Sequence, residues 1–177
     1  MRLREMHDTK NRLALSKELG VNVMTLPRIA KATVNVGLSK YMDNKEAMER
    51  IKAEMSQVLG QAPKTTISKK SVSGFKLRQG QVVGYSLTLR GKRMWDFIER
   101  LTKVSLPRIR DFDGIDSRSF DKSGNFTLGV VDQTIFTEIK PDEIKESWGM
   151  SVSFTVKNGQ NGEMSRDYLK SLGFVFK

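Results

Sequence analysis

Three segments of this 177-residue chain alternate apolar and polar side chains with the two-residue period of a strand buried on one face. They span residues 31–36, 83–90 and 150–157, and shorter strands are expected at 125–131 and 133–138. Serine, threonine, asparagine, lysine and arginine dominate one side of each long segment. A sheet of this kind needs cover on its apolar side only, as antiparallel sheets commonly have.

Helical spacing of apolar side chains predicts four helices around these strands. The clearest spans Asn44–Leu59, with Asn44 as its N-cap and Gly60 as its stop. The others are expected at Leu3–Leu19, Lys92–Val104 and Gly162–Leu172. This order predicts an α+β fold: a single domain over residues 1–177, with a mainly antiparallel sheet, helices on one face and a polar face opposite.

The positive charge of the chain is concentrated in one stretch. Residues 60–110 hold twelve basic and two acidic residues, a net charge of +10, whereas the whole chain carries +11. Such a concentration indicates a polyanionic partner, most simply a nucleic acid whose condensed counterions are released on binding.

The polar side of the predicted sheet offers hydrogen-bonding groups for sugar hydroxyls and phosphates. Its members are Thr33, Asn35, Ser86, Thr88, Arg90, Ser153 and Thr155. Arg90, with the adjacent Lys92 and Arg93, brings charge to the edge of this surface. An antiparallel sheet also leaves a polar face in water without any ligand, so the pattern alone keeps both interpretations open.

A basic loop is expected at about residues 69–82, because the segment is too long and too rich in glycine for a tight hairpin. It carries four cations and Phe75. A mobile loop of this composition suits phosphate contacts together with stacking or packing on a ribose. The alternative is a solvated loop whose Phe75 folds back onto the body of the protein.

The sequence lacks residues that several classes of protein function require. The chain has no cysteine and a single histidine, His7, and no apolar run reaches the length of a membrane span. No cofactor is indicated, and there is no glycine-rich phosphate loop ending in Gly-Lys-Ser or Gly-Lys-Thr. Four neighbouring aspartates could be imagined as magnesium ligands of a nuclease, but nearby arginines offer ordinary ion-pair partners. These aspartates are Asp111, Asp113, Asp116 and Asp121.

Short strings with a specific order and spacing run through the sequence. They are Thr33–Gly37, Gly60–Pro63, Lys70–Gly80, Leu87–Gly91, Leu106–Phe112, Ser119–Asp121 and Gly124–Phe126. Together they closely resemble the fifth protein of the bacterial large ribosomal subunit, collinearly from about Met6 to Phe176. The resemblance implies a structural, cytoplasmic RNA-binding protein of the ribosome, not an enzyme, without a small-molecule substrate or membrane partner.

Members of that family bind 5S rRNA in the central protuberance, touch 23S rRNA and lie beside other 5S rRNA-binding ribosomal proteins. The resemblance implies that the polar face and nearby cations bind 5S rRNA. The implied contact residues are Lys31, Thr33, Asn35, Gln61, Lys69, Lys70, Thr88, Arg90, Lys92 and Arg93. A free regulatory RNA-binding module outside the ribosome would share the same charge and sheet face.

Two further partners follow from the resemblance. The basic loop corresponds to the family's loop that approaches the elbow of P-site tRNA; its residues here are Ser71, Ser73, Gly74, Phe75, Lys76, Arg78 and Gln79. Another side matches an intersubunit bridge to the thirteenth small-subunit protein, through Arg108, Arg110, Asp111, Asp113, Gln133 and Glu138. The family usually has a basic residue where this chain has Asp113, which would change the partner side chains tolerated there.

Overall fold

A computed structural model of the chain describes residues 12–75, 77–110, 112–140, 144–159 and 162–177. These residues form four α-helices and five strands. In chain order they are α1 (Arg12–Leu19), β1 (Arg28–Gly37), α2 (Lys45–Leu59), β2 (Lys64–Ile67), β3 (Val82–Leu89), α3 (Gly91–Arg100), β4 (Phe126–Val130), β5 (Met150–Lys157) and α4 (Gly162–Ser171).

The five strands form one antiparallel sheet in the order β2-β3-β1-β5-β4. Buried residues alternate with exposed or half-buried ones along the second half of β1, along β4 and along β5. The predicted α+β class, with a mainly antiparallel sheet of one apolar and one polar face, is therefore confirmed.

The chain divides into two compact units by the density of its internal contacts. The first contains residues 1–32, 89–128 and 153–177, and the second contains residues 33–88 and 129–152. All four boundaries between the units fall inside strands. Strands β1, β3, β4 and β5 therefore each contribute residues to both units.

In the second unit, α2 forms where local sequence signals predict it. The Asn44 Oδ1 atom accepts a hydrogen bond from the Ala47 backbone N–H at 3.1 Å, which caps the first turn. Gly60 ends the helix with a φ of 66°, a left-handed conformation that glycine adopts without steric cost. The apolar face of the helix is buried at Ile51 and Met55.

Two polar contacts anchor α2 within the second unit. The Tyr85 hydroxyl of β3 donates to the Met48 carbonyl at 3.1 Å, and the Trp148 indole donates to a Glu54 carboxylate oxygen at 2.6 Å. Burial, with a smaller contribution from the Glu49 carboxylate, raises the pKa of Tyr85. The hydroxyl therefore remains a donor at neutral pH, and α2 stays fixed over the apolar side of β3.

The core of the first unit includes a cluster of phenylalanine rings. Phe126 of β4 is fully buried, and its ring centroid lies 5.7 Å from that of Phe154, in a stacked arrangement, and 5.7 Å from that of Phe174. Phe120 and Phe176 complete the cluster, with centroids 5.2 and 5.5 Å from that of Phe126. Rings at these separations add pairwise attraction to the burial of apolar area.

The structure differs from the sequence expectations in three places. The strand expected at 133–138 is wrong: Gln133–Ile135 forms a 3₁₀ turn, because the buried Gln133 amide bonds to backbone groups within the second unit. The short strand β2 was not expected, since it has no apolar alternation. The helix predicted at Lys92–Val104 is α-helical only as far as Arg100, where α3 ends. A π-helical turn follows over Leu101–Ser105.

The structure describes only part of the helix predicted at the amino terminus. The helix expected at Leu3–Leu19 appears as α1 from Arg12, and the earlier part of that range lies outside the described residues. Among the residues that the structure describes, no helix has the length and apolar character of a membrane span.

At Gly84 of β3, the backbone of β1 leaves no room for a side chain. A Cβ atom placed there would lie 2.5 Å from the Val36 carbonyl oxygen, which is backbone and has little freedom to move. We expect Gly84→Ala to lower the free energy of unfolding by about 1–3 kcal/mol, measured by urea denaturation.

Gly129→Ala is the matched control for this substitution. Gly129 lies in β4, and a Cβ atom there would meet nothing within 4 Å. Its free energy of unfolding should stay within about 0.5 kcal/mol of wild type. Equal destabilisation by the two substitutions would contradict a steric role for Gly84.

Candidate nucleic-acid interface

The second unit presents a row of polar side chains on β1 and β3. Asn35 and Thr88 are exposed, while Thr33 and Ser86 are half-buried. The residues that alternate with them are buried in the core. Because successive side chains of a strand point to opposite faces, these four polar residues lie on the face away from the core.

Strand β2 extends this row, a contribution that the sequence did not reveal. It pairs antiparallel with β3, with Lys64 opposite Ser86 and Thr66 opposite Gly84. Directly opposed residues share a face, so Lys64 and Thr66 join the polar side. Gln61, between α2 and β2, is half-buried.

The first unit carries predicted cations on β1 and at the start of α3. Lys31 of β1 is half-buried, and Arg90 is exposed at the position that precedes the first residue of α3. Lys92 and Arg93 follow in the first turn of α3 and are also exposed. These groups offer charges for phosphate contacts.

Strands β4 and β5 supply hydroxyl groups within the first unit. Ser153 and Thr155 are half-buried on β5 between buried neighbours. The Thr127 hydroxyl of β4 donates to the Ser153 hydroxyl oxygen at 3.1 Å. Thr127 was missed as a candidate, although its place in the β4 alternation was a usable signal.

The loop between β2 and β3 has an internal hydrogen-bonding pattern, and it extends the hairpin. Val72 and Leu77 exchange two backbone hydrogen bonds, of 3.0 and 3.1 Å. Ser68 exchanges two more, donating to Gln81 at 2.8 Å and accepting from Gly80 at 2.9 Å. Paired backbone therefore continues β2 and β3 toward the tip of the loop. The mobility of the loop stays a prediction.

Side chains brace the loop further. The Ser71 hydroxyl oxygen accepts from the Gln79 backbone N–H at 2.9 Å. The Gln81 side-chain carbonyl accepts from the Arg78 backbone N–H at 3.1 Å. The hydroxyl of Ser71, predicted as a tRNA contact, is thus already engaged in shaping the loop.

The groups that would meet a nucleic acid lie outward on this loop. Lys69, Lys70 and Arg78 are exposed, and Phe75 is 74% exposed in a 3₁₀ turn over Ser73–Phe75. Phe75 therefore does not fold back onto the body of the protein. Ser73, Gly74 and Gln79 are also exposed, and the predicted Lys76 lies outside the described residues.

The predicted bridge residues belong to both units. Arg108 and Arg110 are exposed in the first unit, after α3. Asp113 is exposed there too, and its carboxylate lies 3.3 Å from the Lys177 ammonium. Asp111 lies outside the described residues.

Gln133 is also a predicted bridge residue, but its side chain is fully buried in the second unit. Its amide donates to the Glu146 carbonyl at 2.6 Å and its oxygen accepts from the Trp148 backbone N–H at 2.8 Å. Both ends of the side chain are therefore used inside the chain. Glu138, later in the same segment, is half-buried.

The aspartates considered as metal ligands have local structural partners. Asp116 accepts from the Arg118 backbone N–H at 2.9 Å and caps a 3₁₀ turn, while Asp113 faces Lys177. Among the described residues, no group of three or more acidic or histidine side chains converges on a possible metal position. The arrangement is that of capping groups and ion pairs.

Asp121 holds the turn before β4. Its carboxylate accepts from the Asn125 side chain at 2.7 Å and from the Asn125 and Ser123 backbone N–H groups at 2.8 and 2.9 Å. The side-chain hydrogen bond of Asn125, followed by these backbone bonds, holds the pKa of Asp121 below its ordinary 3.8. Asn125 also accepts from the Val156 backbone N–H at 3.0 Å, so the turn is tied to β5.

A lowered pKa predicts acid sensitivity of this turn. The stabilisation from the Asp121 carboxylate is complete above the ordinary carboxyl pKa and is lost as pH falls through the lower folded-state value. We expect Asp121→Ala to lower the free energy of unfolding by about 1 kcal/mol at pH 7. The difference from wild type should shrink below about pH 4 in urea denaturation curves.

Asp43→Ala provides the control, because Asp43 is an exposed aspartate outside this turn, in the second unit. It should leave the unfolding free energy at pH 7 within about 0.5 kcal/mol of wild type. A difference for Asp121→Ala that stays constant down to pH 2 would refute a role for the charged carboxylate.

Family models match nearly the whole described chain in two consecutive parts. Residues 22–78 match the model described as ribosomal protein L5. Residues 82–176 match the model for the C-terminus of the same ribosomal protein family. The two matches together therefore include every strand and helix from β1 onward, and the loop between β2 and β3 as far as Arg78.

Similar curated proteins are each named large ribosomal subunit protein uL5. One from Anaeromyxobacter sp. (strain Fw109-5) is 42% identical, and one from Heliobacterium modesticaldum 41%, each over 99% of this chain and 98% of the relative. A third, from Shewanella piezotolerans, is 43% identical over 92% of this chain and 91% of its own length. With two family models and full-length relatives above 40% identity, the chain belongs to the ribosomal protein L5 family.

Proposed function

We propose that the protein is a structural component of the large ribosomal subunit that binds 5S rRNA through the polar side of its sheet. Membership of the ribosomal protein L5 family supports the ribosomal role. The observation that carries the RNA contact is the exposure of Asn35 and Thr88 on strands whose alternate residues are buried. The family consists of structural proteins, so no catalytic activity is proposed.

The chemistry of this surface suits RNA. The wide, shallow minor groove of an A-form helix displays 2′-hydroxyl groups, which short amide and hydroxyl side chains can pair with. Thr33 and Ser86 add such groups in the second unit, and Lys64 adds a charge. Lys69 and Lys70 of the loop, and Arg90, Lys92, Arg93 and Lys31 of the first unit, would supply phosphate contacts, with Gln61 as a further polar contact.

The loop between β2 and β3 is proposed to contact P-site tRNA. Exposed Phe75 offers a surface for stacking or for packing on a ribose, and Arg78 offers a charge. The bonds from Ser71 and Gln81 support the loop backbone at Gln79 and Arg78. In this proposal Ser71 acts as a positioning residue, and Ser73, Gly74, Lys76 and Gln79 complete the contacting segment.

The exposed residues Arg108, Arg110 and Asp113 are proposed to face the thirteenth protein of the small subunit, together with Asp111 and Glu138. Because the Gln133 side chain is buried and fully bonded, it positions its segment and does not itself reach a partner. 23S rRNA and neighbouring 5S rRNA-binding ribosomal proteins are the further partners proposed, and the proposed location is the cytoplasmic ribosome.

The experiment that tests the RNA proposal is a salt series with three RNAs: 5S rRNA, tRNA and a generic duplex. We expect 5S rRNA to keep a large advantage as salt rises, because shape-specific contacts persist while charge contacts weaken. An Asn35→Ala, Thr88→Ala double variant should lose part of that advantage without a change in salt slope. Equal affinity for all three RNAs at every salt concentration would contradict specific recognition.

A free regulatory module would bind RNA with the same surface. Cosedimentation with large subunits at moderate salt separates the two functions, because a ribosomal component should remain in that fraction. Persistent absence from large subunits would contradict the ribosomal role.

A further inference from the structure

A small cavity in the second unit lies at the end of β1, beyond the residues proposed above to bind RNA. Gly37, Lys40, Tyr41, Trp148 and Gly149 are among its lining residues, and its volume is about 200 Å³. Pockets for drug-sized ligands are typically about 300–1,000 Å³. This cavity is therefore suited to a smaller group.

Hydrogen bonds hold the aromatic wall of the cavity in place. The Tyr41 hydroxyl donates to the Ser147 carbonyl at 2.6 Å. At the backbone, Tyr41 donates to the Leu38 carbonyl at 2.9 Å and accepts from the Asn44 N–H at 3.0 Å. Both ends of the residue are thus fixed, and a ring that is already ordered loses little entropy when a ligand stacks on it.

The two glycines that line the cavity have different surroundings. At Gly37, a Cβ atom would meet nothing within 4 Å, so its position faces free space. At Gly149, a Cβ atom would lie 2.7 Å from the Val131 carbonyl oxygen, so packing excludes a side chain there. The open space at Gly37 therefore leaves the cavity unobstructed on the β1 side.

The remaining groups around the cavity favour a nucleotide over a purely apolar ligand. Lys40 is exposed and supplies a positive charge, and Ser39 supplies an exposed hydroxyl group, whereas the Ser147 hydroxyl donates to the Asp132 carboxylate. An aromatic ring beside a cation and a hydroxyl group is the combination that proteins use to stack an unpaired base and hold its phosphate.

We propose that this cavity receives one unpaired nucleotide of the bound RNA, with its base against Tyr41 and its phosphate at Lys40. The inference rests on the proposed RNA-binding function. The cavity continues the proposed RNA-binding surface, because Asn35 and Gly37 lie two residues apart on the same side of β1 and both are exposed. The nucleotide would add sequence or loop selectivity to a surface that otherwise reads helix shape.

Two substitutions test the site by affinity for 5S rRNA. Tyr41→Ala removes the stacking surface and should weaken binding by about 5-fold to 150-fold, the range for one stacked base. Tyr41→Phe keeps the ring and should bind within about threefold of wild type. Gly37→Ala should weaken binding because its methyl group narrows the cavity, and thermal unfolding should show a normal fold since nothing in the protein opposes that methyl.

Gly129→Ala is the matched control, with the same added methyl group at an exposed strand position where nothing lies within 4 Å. It should bind 5S rRNA like wild type. Weakening as large as that of Gly37→Ala would overturn the inference, because it would indicate general crowding of the sheet. Wild-type affinity for folded Gly37→Ala and Tyr41→Ala would overturn it as well.

Fluorescence gives an independent readout of occupancy. In a Trp95→Phe background the emission of Trp148, which lines the cavity, should change on titration with 5S rRNA, and Gly37→Ala should abolish that change. An unchanged emission would count against a base in the cavity. The Asn35→Ala, Thr88→Ala variant separates the proposed function from the cavity proposal. If this variant binds 5S rRNA with wild-type affinity, the proposed function is contradicted. If it binds more weakly while Gly37→Ala and Tyr41→Ala bind with wild-type affinity, only the cavity proposal is contradicted.

Discussion

Replacing Phe126 by alanine is expected to lower the free energy of unfolding by about 3–5 kcal/mol. The ring is fully buried and contacts four other phenylalanines, so its removal leaves a cavity that these rigid rings fill poorly. For a chain of this length, each kcal/mol shifts the melting temperature by roughly 2–4 °C. Differential scanning calorimetry and urea denaturation should both show the loss.

Phe75→Ala is the matched control for this prediction. It makes the same chemical change at a ring that is 74% exposed, where little apolar area leaves water on folding. Its melting temperature should equal that of wild type. A comparable loss in the two variants, or a Phe126→Ala loss below about 1 kcal/mol, would contradict a stabilising role for the aromatic cluster.

Removing four exposed cations is expected to change the salt dependence of RNA binding most strongly. In a variant with glutamine at Lys69, Lys70, Arg90 and Lys92, the slope of log affinity for 5S rRNA against log salt should flatten by about three. Each phosphate contact contributes about 0.7–0.9 to that slope through counterion release. Filter binding or fluorescence anisotropy across a salt series measures it.

A charge-matched variant separates local contacts from net charge. It carries glutamine at four exposed lysines outside the basic stretch: Lys45, Lys52, Lys122 and Lys145. Both variants lose four positive charges, but only the first loses the proposed phosphate contacts. If the two slopes flatten equally, net charge explains the binding and the assigned contacts are wrong.

Local sequence signals predicted much of the fold. The bounds of α2 follow from a capping side chain at Asn44 and a left-handed glycine at Gly60, both of which act within one helical turn. The exposure of Asn35 and Thr88 follows from the two-residue period, because a strand buried on one face leaves its alternate residues outside. These features depend on neighbours in sequence, so one chain sufficed to infer them.

Other features escaped prediction because they depend on partners outside the local sequence pattern. Strand β2 exists through its pairing with β3 and has no apolar period of its own. The alternation at 133–138 is compatible with a strand, but the Gln133 amide instead satisfies the backbone at Glu146 and Trp148. Within the loop, Ser71 pairs with Gln79, a contact between side chain and backbone that no periodicity encodes.

The sequence by itself determined the α+β class, the polar side of the strands and the concentration of positive charge, since each depends on spacing or composition. Only the tertiary structure decided which polar groups remain available. It buried Gln133, engaged the Ser71 hydroxyl inside the loop and placed Tyr41 beside Ser147, more than a hundred positions away in sequence. The physical reason is that a polar group withdrawn from water is costly without a hydrogen-bond partner, and a segment outside the local sequence pattern often supplies that partner.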